Sequence, residues 1–370
     1  MLPFIDLKTQ YKRIESEVDA AIKNVLEHGR YILGPEVSEL EQKLAEFAGS
    51  KYCIGCSSGT DALLMPLMAY GVGPGDAVFT TPFTFFATAE TIALTGATTV
   101  FVDIDPETYN IDPVKLEEAI KKVNAEGSLK AKGIMPVDLF GLSADYDSIM
   151  PIADEYGLFV IQDACQGLGA QYKGKVAPSM GHVGATSFFP AKPLGAYGDG
   201  GAVFTDDDKL HELMRSILVH GQSSDKYNNV RIGLNARLDT IQAAILLEKL
   251  KLFPEEIELR QKVANAYSKN LAGIVKTPYI PEDCVSVWAQ YCIQSDRRSE
   301  IQAALQENEI PSACYYPIPL HLQTAFKHLG YNRGDMPVSE SVADKIFALP
   351  MHPYLDEETV KKITDVIVNA

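Results

Sequence analysis

The sequence predicts an α/β protein in which a large domain with a mostly parallel sheet is followed by a smaller α+β domain. Three observations support this fold class. The 370 residues suffice for two domains of roughly 100–200 residues each. Short apolar runs alternate with helical patterns through the first two thirds of the chain, as in a parallel sheet covered on both faces. The alternation changes beyond about Leu271. We place the two domains at residues 1–255 and 256–370.

The first part of the chain begins with helices and then alternates strands and helices. Apolar residues from Val18 to Leu26 share one helical face, and the helix should end near Gly29. A second helix should open at Pro35. After it the predicted strands are 76–81, 98–105, 133–137 and 158–162, and the predicted helices are 113–123 and 145–156.

Beyond residue 185 the regular alternation of strands and helices is replaced by a less regular order of elements. Two short strands are predicted in 186–192 and 200–207, joined by the glycine-rich turn 195–201. A surface loop is expected at 221–231. The remaining predicted helices are 208–219, 236–250, 254–270, 299–308 and two at the C-terminus, of which the last is capped by Asp356; the remaining strands are 288–294 and 312–317.

Charge and composition limit the classes of function. Acidic residues outnumber basic ones by 49 to 33, and a net charge of −16 disfavours nucleic acid and anionic membranes as partners. We find no apolar stretch near the roughly 20 residues that span a bilayer and no signal peptide, so we expect a cytoplasmic protein with reduced cysteines. Cys53 and Cys56 form a single Cys-x-x-Cys pair without a second pair nearby, so we expect no metal site.

Small residues precede a helical pattern at SSGTDALL (57–64). Unpaired amides and the positive end of the helix dipole make such a start a phosphate-binding site. The alternative is an ordinary helix start, with Thr60 as its N-cap. The stretch lacks the lysine of a P-loop and the glycine pattern of a dinucleotide-binding turn.

Two further motifs carry candidate catalytic groups. A buried strand ends in Asp163, followed by Gln166, and ligands of α/β sheets bind beyond strand ends. A carboxylate there can keep a pyridine nitrogen protonated, or it can simply cap the next segment. Lys192 lies among apolar residues, which lower the pKa of an amine and favour Schiff-base chemistry, unless it is an exposed turn lysine. A phosphate site, a strand-end acid and an apolar lysine together indicate pyridoxal phosphate.

At this level of detail the chain closely resembles the DegT/DnrJ/EryC1/StrS family of sugar aminotransferases. The resemblance implies fold type I of the pyridoxal-phosphate enzymes, with a large mixed, mostly parallel sheet domain and a smaller C-terminal α+β domain. It runs nearly end to end through FIDLKTQY (4–11), HGRYILGPEV (28–37), SSGTDAL (57–63), TPFTFFATAE (81–90), QDACQGLGA (162–170), SFFPAKPLGAYGDGG (187–201), GLNARLDTIQAA (233–244), YYPIPLHLQ (315–323) and LPMHPYL (349–355).

The resemblance also implies roles for residues around the cofactor ring. Lys192 would carry the cofactor covalently and later move the proton. Asp163 would pair with the pyridine nitrogen, and Gln166 would lie against the ring or its hydroxyl. Phe85 matches the aromatic position that stacks on the other ring face.

A second group of residues would hold the phosphate and the substrates. Gly59, Thr60 and Ser187 would bind the phosphate, and Asn235 would reach it from the neighbouring subunit of a homodimer with shared sites. Arg237, also from the partner, is a candidate for a substrate carboxylate. The positions near the sugar are Tyr31, Tyr315 and Tyr316.

The resemblance implies transfer of the amino group of L-glutamate to a keto-sugar, in surface polysaccharide biosynthesis. The nearest branch acts on a UDP-linked 3-oxo-glucuronate, but that branch carries a histidine where this chain has Tyr315. A dTDP-3-keto-6-deoxyhexose and a free acidic keto-sugar such as an oxidised octulosonate therefore stay open as acceptors. Relatives that dehydrate instead replace the lysine by histidine, whereas Lys192 is present here.

Two other classes of function are weighed against this one. A regulator that binds pyridoxal phosphate without turnover would show no amine transfer, and this acidic chain carries no DNA-binding appendage. An NAD-linked sugar-modifying enzyme would require a glycine fingerprint after the first strand, and we find none.

Overall fold

The computed structural model describes residues 2–225 and 227–370. The helices are α1 Leu7–Arg13, α2 Glu15–His28, α3 Pro35–Ala48, α4 Gly59–Ala69, α5 Phe86–Leu94, α6 Pro113–Glu126, α7 Tyr146–Tyr156, α8 Asp208–Ile217, α9 Thr240–Leu271, α10 Arg298–Glu307, α11 Pro337–Lys345 and α12 Glu357–Asn369. The strands are β1 Tyr52–Cys56, β2 Asp76–Thr80, β3 Thr98–Phe101, β4 Lys130–Met135, β5 Phe159–Asp163, β6 Gln171–Tyr172, β7 Lys175–Val176, β8 Val183–Ser187, β9 Gly201–Thr205, β10 Cys284–Val285, β11 Tyr291–Gln294 and β12 Ile346–Leu349.

The main sheet has the strand order β1-β9-β8-β5-β4-β2-β3. Strands β3, β2, β4, β5 and β8 run parallel, while β9 is antiparallel to both of its neighbours. Helices cover both faces. Ile161 of β5 packs in a core with α4, α5 and α8, and the adjacent Val160 packs in another with α6 and α7. The predicted large, mixed and mostly parallel sheet is confirmed.

Most predicted element ends follow from local chemistry. Helix α2 ends at Gly29, whose φ of 68° is left-handed, and α3 begins at Pro35, which suits the first helical position. Asp356 caps α12 as predicted, accepting a hydrogen bond from the amide of Thr359. Strand β1 was not predicted, and Cys53 and Cys56 are buried in it. Within the described ranges no cluster of side chains that could bind a metal ion occurs.

The prediction of separate helices at 236–250 and 254–270 is wrong. Residues 235–239 are extended, and α9 then runs unbroken from Thr240 through Pro254 to Leu271. A proline inside a helix costs about 3 kcal/mol. Contacts beside it oppose that cost: Phe253 is fully buried, and buried Glu256 accepts hydrogen bonds from Gln10 and Tyr354.

The C-terminal part has its own core. Apolar residues of α9, β11, α10, β12 and α12 form it, with Tyr267, Tyr291 and Phe347 among the largest buried side chains. The predicted strand 312–317 is wrong, because only Ala313 pairs there, through an isolated bridge to Ala348. Strand β12, which was not predicted, pairs with β11 instead. The division at residues 255 and 256 falls inside α9 and stays a proposal.

Across the residues that the structure describes, no helix combines the length and apolar character needed to cross a bilayer.

Candidate active site

The start of α4 forms an anion-binding corner. The N-cap is Ser58 and not Thr60, which the alternative interpretation named: the backbone of Ser58 is extended and its Oγ accepts from the amide of Asp61 at 3.1 Å. Gly59 and Thr60 therefore occupy the first turn, where backbone amides have no acceptor within the helix. Those two amides are available to an anionic ligand.

Ser187 closes this corner from β8. A Cβ placed on Gly59 would lie only 2.6 Å from Ser187 Cβ and 3.1 Å from Cys165 Sγ. Only glycine therefore lets the helix start approach the end of β8 this closely. The contact brings the predicted phosphate residues Gly59, Thr60 and Ser187 together.

Asp163 lies at the carboxyl end of the parallel strand β5 and is 4% exposed. Its Oδ2 accepts from Thr88 Oγ1 at 2.7 Å, and its Oδ1 accepts from the amide of Cys165 at 3.1 Å. Because the Thr88 proton points to the carboxylate, the 3.0 Å contact between the Thr84 and Thr88 hydroxyls has Thr84 as donor. Two buried hydroxyls thus orient the acid. Neither threonine was predicted as a site residue, although they stand four residues apart at the start of a helix.

Lys192 lies in the loop between β8 and β9. The predicted strand 186–192 is wrong beyond its first two residues, because β8 runs from Val183 to Ser187. The lysine is half-buried, and desolvation lowers the pKa of its amine, while Cys165 and Asp163 act in the opposite direction. A lowered pKa raises the share of neutral, nucleophilic amine.

The predicted aromatic and amide residues lie on segments next to Asp163, whose charge acts on the Tyr316 hydroxyl. Phe85, 57% exposed, precedes α5 by one residue and stands one turn before Thr88. Gln166 is held at both ends of its amide, donating to Tyr316 Oη at 3.1 Å and accepting from the amide of Phe140 at 2.9 Å. The ring of Tyr315 lies 5.8 Å from that of Tyr316.

A second buried acid lies close to Asp163. Asp138 accepts hydrogen bonds from Ala144, Tyr146 and Gln162, and its backbone amide donates to the carbonyl of Asp163. Burial raises the pKa of Asp138 to about 7. The three hydrogen-bond donors lower this pKa, and the charge of Asp163 raises it further. Asp138 was not predicted as a site residue from the sequence.

Three predicted site residues are not joined to this group within the chain. Tyr31 is 47% exposed and Asn235 is also exposed. Arg237 pairs through its backbone with Cys56, and its buried Nε finds no hydrogen-bond partner among residues 2–225 and 227–370. An unpaired guanidinium nitrogen is available to an anion or to another subunit.

The residues present fit pyridoxal phosphate. The tight corner at Gly59 offers amides and a hydroxyl to a phosphate, Asp163 offers an oriented carboxylate to a pyridine nitrogen, and Lys192 offers an amine with a lowered pKa. Phe85 presents an exposed aromatic face one helical turn before the threonine that donates to Asp163. The fit rests on donor chemistry and on the absence of a side chain at Gly59.

Comparisons with known proteins cover the whole fold. The model of the DegT/DnrJ/EryC1/StrS aminotransferase family matches residues 12–368. The UDP-2-acetamido-2-deoxy-3-oxo-D-glucuronate aminotransferase of Pseudomonas aeruginosa is 52% identical over 370 residues, covering 100% of each chain.

Solved structures agree with these matches. The crystal structure of a DegT DnrJ EryC1 StrS aminotransferase from Brucella abortus is 53% identical, with a TM-score of 0.98 over 100% of this chain and 99% of that one. The crystal structure of NtdA from Bacillus subtilis with bound cofactor PMP is 30% identical, with a TM-score of 0.88 over 99% of this chain and 83% of that one.

Proposed function

This chain belongs to the DegT/DnrJ/EryC1/StrS aminotransferase family and is a pyridoxal-phosphate-dependent sugar aminotransferase, and from that premise we propose its substrates. The donor is L-glutamate and the acceptor is a UDP-linked 3-oxo-glucuronate sugar, which is aminated at C3 for surface polysaccharide. The observation that carries the choice of acceptor is the 52% identity, over the whole of both chains, with the UDP-2-acetamido-2-deoxy-3-oxo-D-glucuronate aminotransferase of Pseudomonas aeruginosa.

The site residues divide the work as follows. Pyridoxal phosphate supplies an aldehyde that condenses with amines and a ring that accepts the electrons released at the neighbouring carbon. The Lys192 amine would hold the cofactor through its aldehyde group and, once released, would carry a proton as the general acid–base group. The Asp163 carboxylate would keep the pyridine nitrogen protonated. Phe85 would offer an aromatic surface to the ring, and the Gln166 amide would hold the ring or its hydroxyl.

Binding residues complete the assignment. The amides of Gly59 and Thr60 and the hydroxyl of Ser187 donate to the phosphate. Asn235 from the partner subunit reaches the same phosphate. On the substrate side, Arg237 of the partner receives a carboxylate, and three tyrosines contact the sugar: Tyr31, Tyr315 and Tyr316.

The active form is a cytoplasmic homodimer. Several large apolar side chains are exposed on the single chain, including Tyr31, Ile32, Phe85, Phe189 and Ile232, at exposed fractions from 47% to 86%. Exposed apolar surface of this kind supports coverage by a second subunit. The same contact would cover exposed Asn235 and would offer a partner to Arg237 Nε, which has none among residues 2–225 and 227–370.

One observation favours a second acceptor. Tyr315 is neutral, and its ring packs edge-on against Phe4 at 6.4 Å, so this position offers an apolar face and one weak hydrogen bond. A dTDP-3-keto-6-deoxyhexose carries a methyl group where the glucuronate carries a carboxylate. Such a sugar would suit Tyr315 better than it would suit a charged residue.

The test begins with the visible spectrum of the holoenzyme. We expect L-glutamate to bleach the absorption band of the bound cofactor and release 2-oxoglutarate, and we expect Lys192→Ala to abolish this. Lys209→Ala, which changes an exposed lysine of α8, should behave as wild type. Turnover at the wild-type rate in Lys192→Ala would overturn the role of Lys192, and a band that ignores glutamate would overturn the donor.

The acceptor is decided by comparing kcat/KM for the UDP-linked 3-oxo-glucuronate and for a dTDP-3-keto-6-deoxyhexose. We expect the uronate to be preferred, with the preference reduced in Arg237→Ala. A preference for the deoxyhexose would establish the second candidate instead.

A further inference from the structure

Lys249 is a buried lysine that the proposed reaction does not use. It lies in α9 with 1% of its surface exposed. Its ammonium donates to the carbonyl of Gly195 and lies 4.9 Å from the centre of the Tyr197 ring. In the described part of the chain no carboxylate forms an ion pair with it, and burial lowers the pKa of its amine to about 8. Burying an unpaired ammonium is costly, so its retention calls for a reason.

Gln242 lies seven residues earlier on the same face of α9, two helical turns away. Its Oε1 accepts from the amide of Tyr197 at 2.9 Å. A Cβ on Gly198 would lie 3.0 Å from Gln242 Nε2, so the amide of Gln242 also lies against this glycine. The two α9 side chains therefore bind the main chain on either side of Ala196.

Ala196 is the closing point of the turn that carries Lys192. Its amide donates to the carbonyl of Phe188 at 2.7 Å, which closes a loop with Lys192 near its middle. Within that loop the amide of Lys192 donates to the carbonyl of Phe189 at 2.8 Å. A shift of the backbone at 195–197 would therefore be transmitted to Lys192.

We propose that Gln242 and Lys249 are positioning residues that fix the turn 188–200 on α9 and thereby hold the Lys192 amine at the carbonyl carbon of pyridoxal phosphate. The inference rests on the proposed role of Lys192. Neither residue touches the cofactor; each acts through the backbone of the turn. Gln242 and Lys249 thus support the active site from the buried face of α9, through their hydrogen bonds to the turn.

The experiment separates positioning from general stability. Apoprotein is mixed with pyridoxal phosphate, and the rate at which the band of the lysine-bound cofactor appears is measured; borohydride reduction and peptide mass spectrometry then identify the labelled lysine. In parallel, the dissociation constant of pyridoxamine phosphate, which forms no bond to lysine, reports whether the pocket is intact.

Lys249→Met keeps the length of the side chain and removes the donor. We expect it to slow formation of the lysine-bound form by roughly tenfold to hundredfold, as misplacement of a reacting group does. The dissociation constant of pyridoxamine phosphate should change by less than about threefold. Gln242→Met should act in the same direction, and the double variant should show less than the product of the two effects, because both residues hold one turn.

Lys251→Met is the matched control, because Lys251 lies in the same helix but is exposed and paired with Glu248. It should leave both measurements unchanged. A folded Lys249→Met protein with the wild-type linkage rate would overturn the inference, as would parallel loss of linkage and of pyridoxamine phosphate binding. Should Lys249→Met not fold, Gln242→Met decides by the same criteria. Wild-type protein that is not labelled at Lys192 would instead overturn the proposed function.

Discussion

At the scale of single residues, the orientation of Asp163 depends on Thr88. The threonine hydroxyl is the side-chain donor to Oδ2 of this carboxylate, and it is itself held by Thr84. If Asp163 keeps the pyridine nitrogen protonated, then loss of that hydroxyl should let the acid rotate away from the ring. The hydroxyl of Thr88 is therefore expected to matter for rate more than for cofactor retention.

We predict that Thr88→Val slows the half-reaction with L-glutamate by roughly tenfold to hundredfold, since a hydrogen bond to a charged group is worth about 1.5–3 kcal/mol. Valine keeps the shape of threonine, so the affinity for pyridoxal phosphate should change little. Stopped-flow absorbance measures the rate, and Thr88→Ser should restore most of it. An unchanged rate in Thr88→Val would show that Asp163 is held adequately by the amide of Cys165.

Some of the site residues could be predicted because their chemistry is unusual in its local context. An acid at the end of an apolar strand and a lysine among apolar residues are visible at Asp163 and Lys192. Thr88 and Lys249 are not visible in this way, because their importance arises from partners 75 and 54 residues away. Ser58 and Thr60 show the finer limit, since both can cap a helix and only the backbone geometry decides between them.

At the scale of elements, α9 is where prediction from sequence failed most clearly. Residues 236–239 continue the helical apolar pattern of the segment after them, yet Arg237 pairs with Cys56 of β1 and is extended. A proline such as Pro254 usually ends a helix, yet α9 continues through it because residues on both sides of it are buried. Long-range packing decided both outcomes. The alternating strands and helices of the main sheet were predictable because their periodicity is local.

The segment after β12 meets α1 and α9 at His352, which is 3% exposed. Desolvation lowers the pKa of His352 to about 4; Asp6, which precedes α1, opposes that shift and Arg260 of α9 adds to it. The usual pKa of histidine is about 6.5. Between these values the unfolded chain binds a proton that the folded chain does not, so His352 makes the fold less stable as the pH falls from about 6.5 to about 4.

We predict that this loss reaches about 3 kcal/mol at the acid end of the window and that His352→Asn removes it. Urea unfolding at pH 7.0, 5.5 and 4.5 should show a shallower decline for His352→Asn than for wild type. His328→Asn, a change at an exposed histidine, serves as the control. Equal declines in wild type and His352→Asn would show that this histidine is not buried neutral in the folded state.

At the scale of the whole molecule, the proposed homodimer builds each active site from two chains. Lys192 would come from one subunit and Asn235 from the other. A dimer that combines one Lys192→Ala subunit with one Asn235→Asp subunit would then contain one doubly defective site and one site with wild-type residues.

We predict that each variant alone is inactive, because Asn235→Asp places a negative charge beside the phosphate. Co-expression should restore about a quarter of wild-type activity, since half of randomly formed dimers are mixed and each has one intact site. Purification through two different tags isolates the mixed dimer for assay. A mixed dimer without activity would show that Lys192 and Asn235 serve the same site from a single chain.

The pairing of β1 with β9, which joins Tyr52 to Thr205, has a consequence for synthesis on the ribosome. The corner at Gly59 leaves the ribosome early. Its neighbour Ser187 and strand β9, which pairs with β1, follow much later, and so do the α9 residues Gln242 and Lys249. At roughly 5–20 residues per second the nascent chain needs about 10–40 s more to reach Lys249. Cofactor loading should therefore wait until α9, which ends at Leu271, has been made, and truncated translation products that stop before α9 should be colourless.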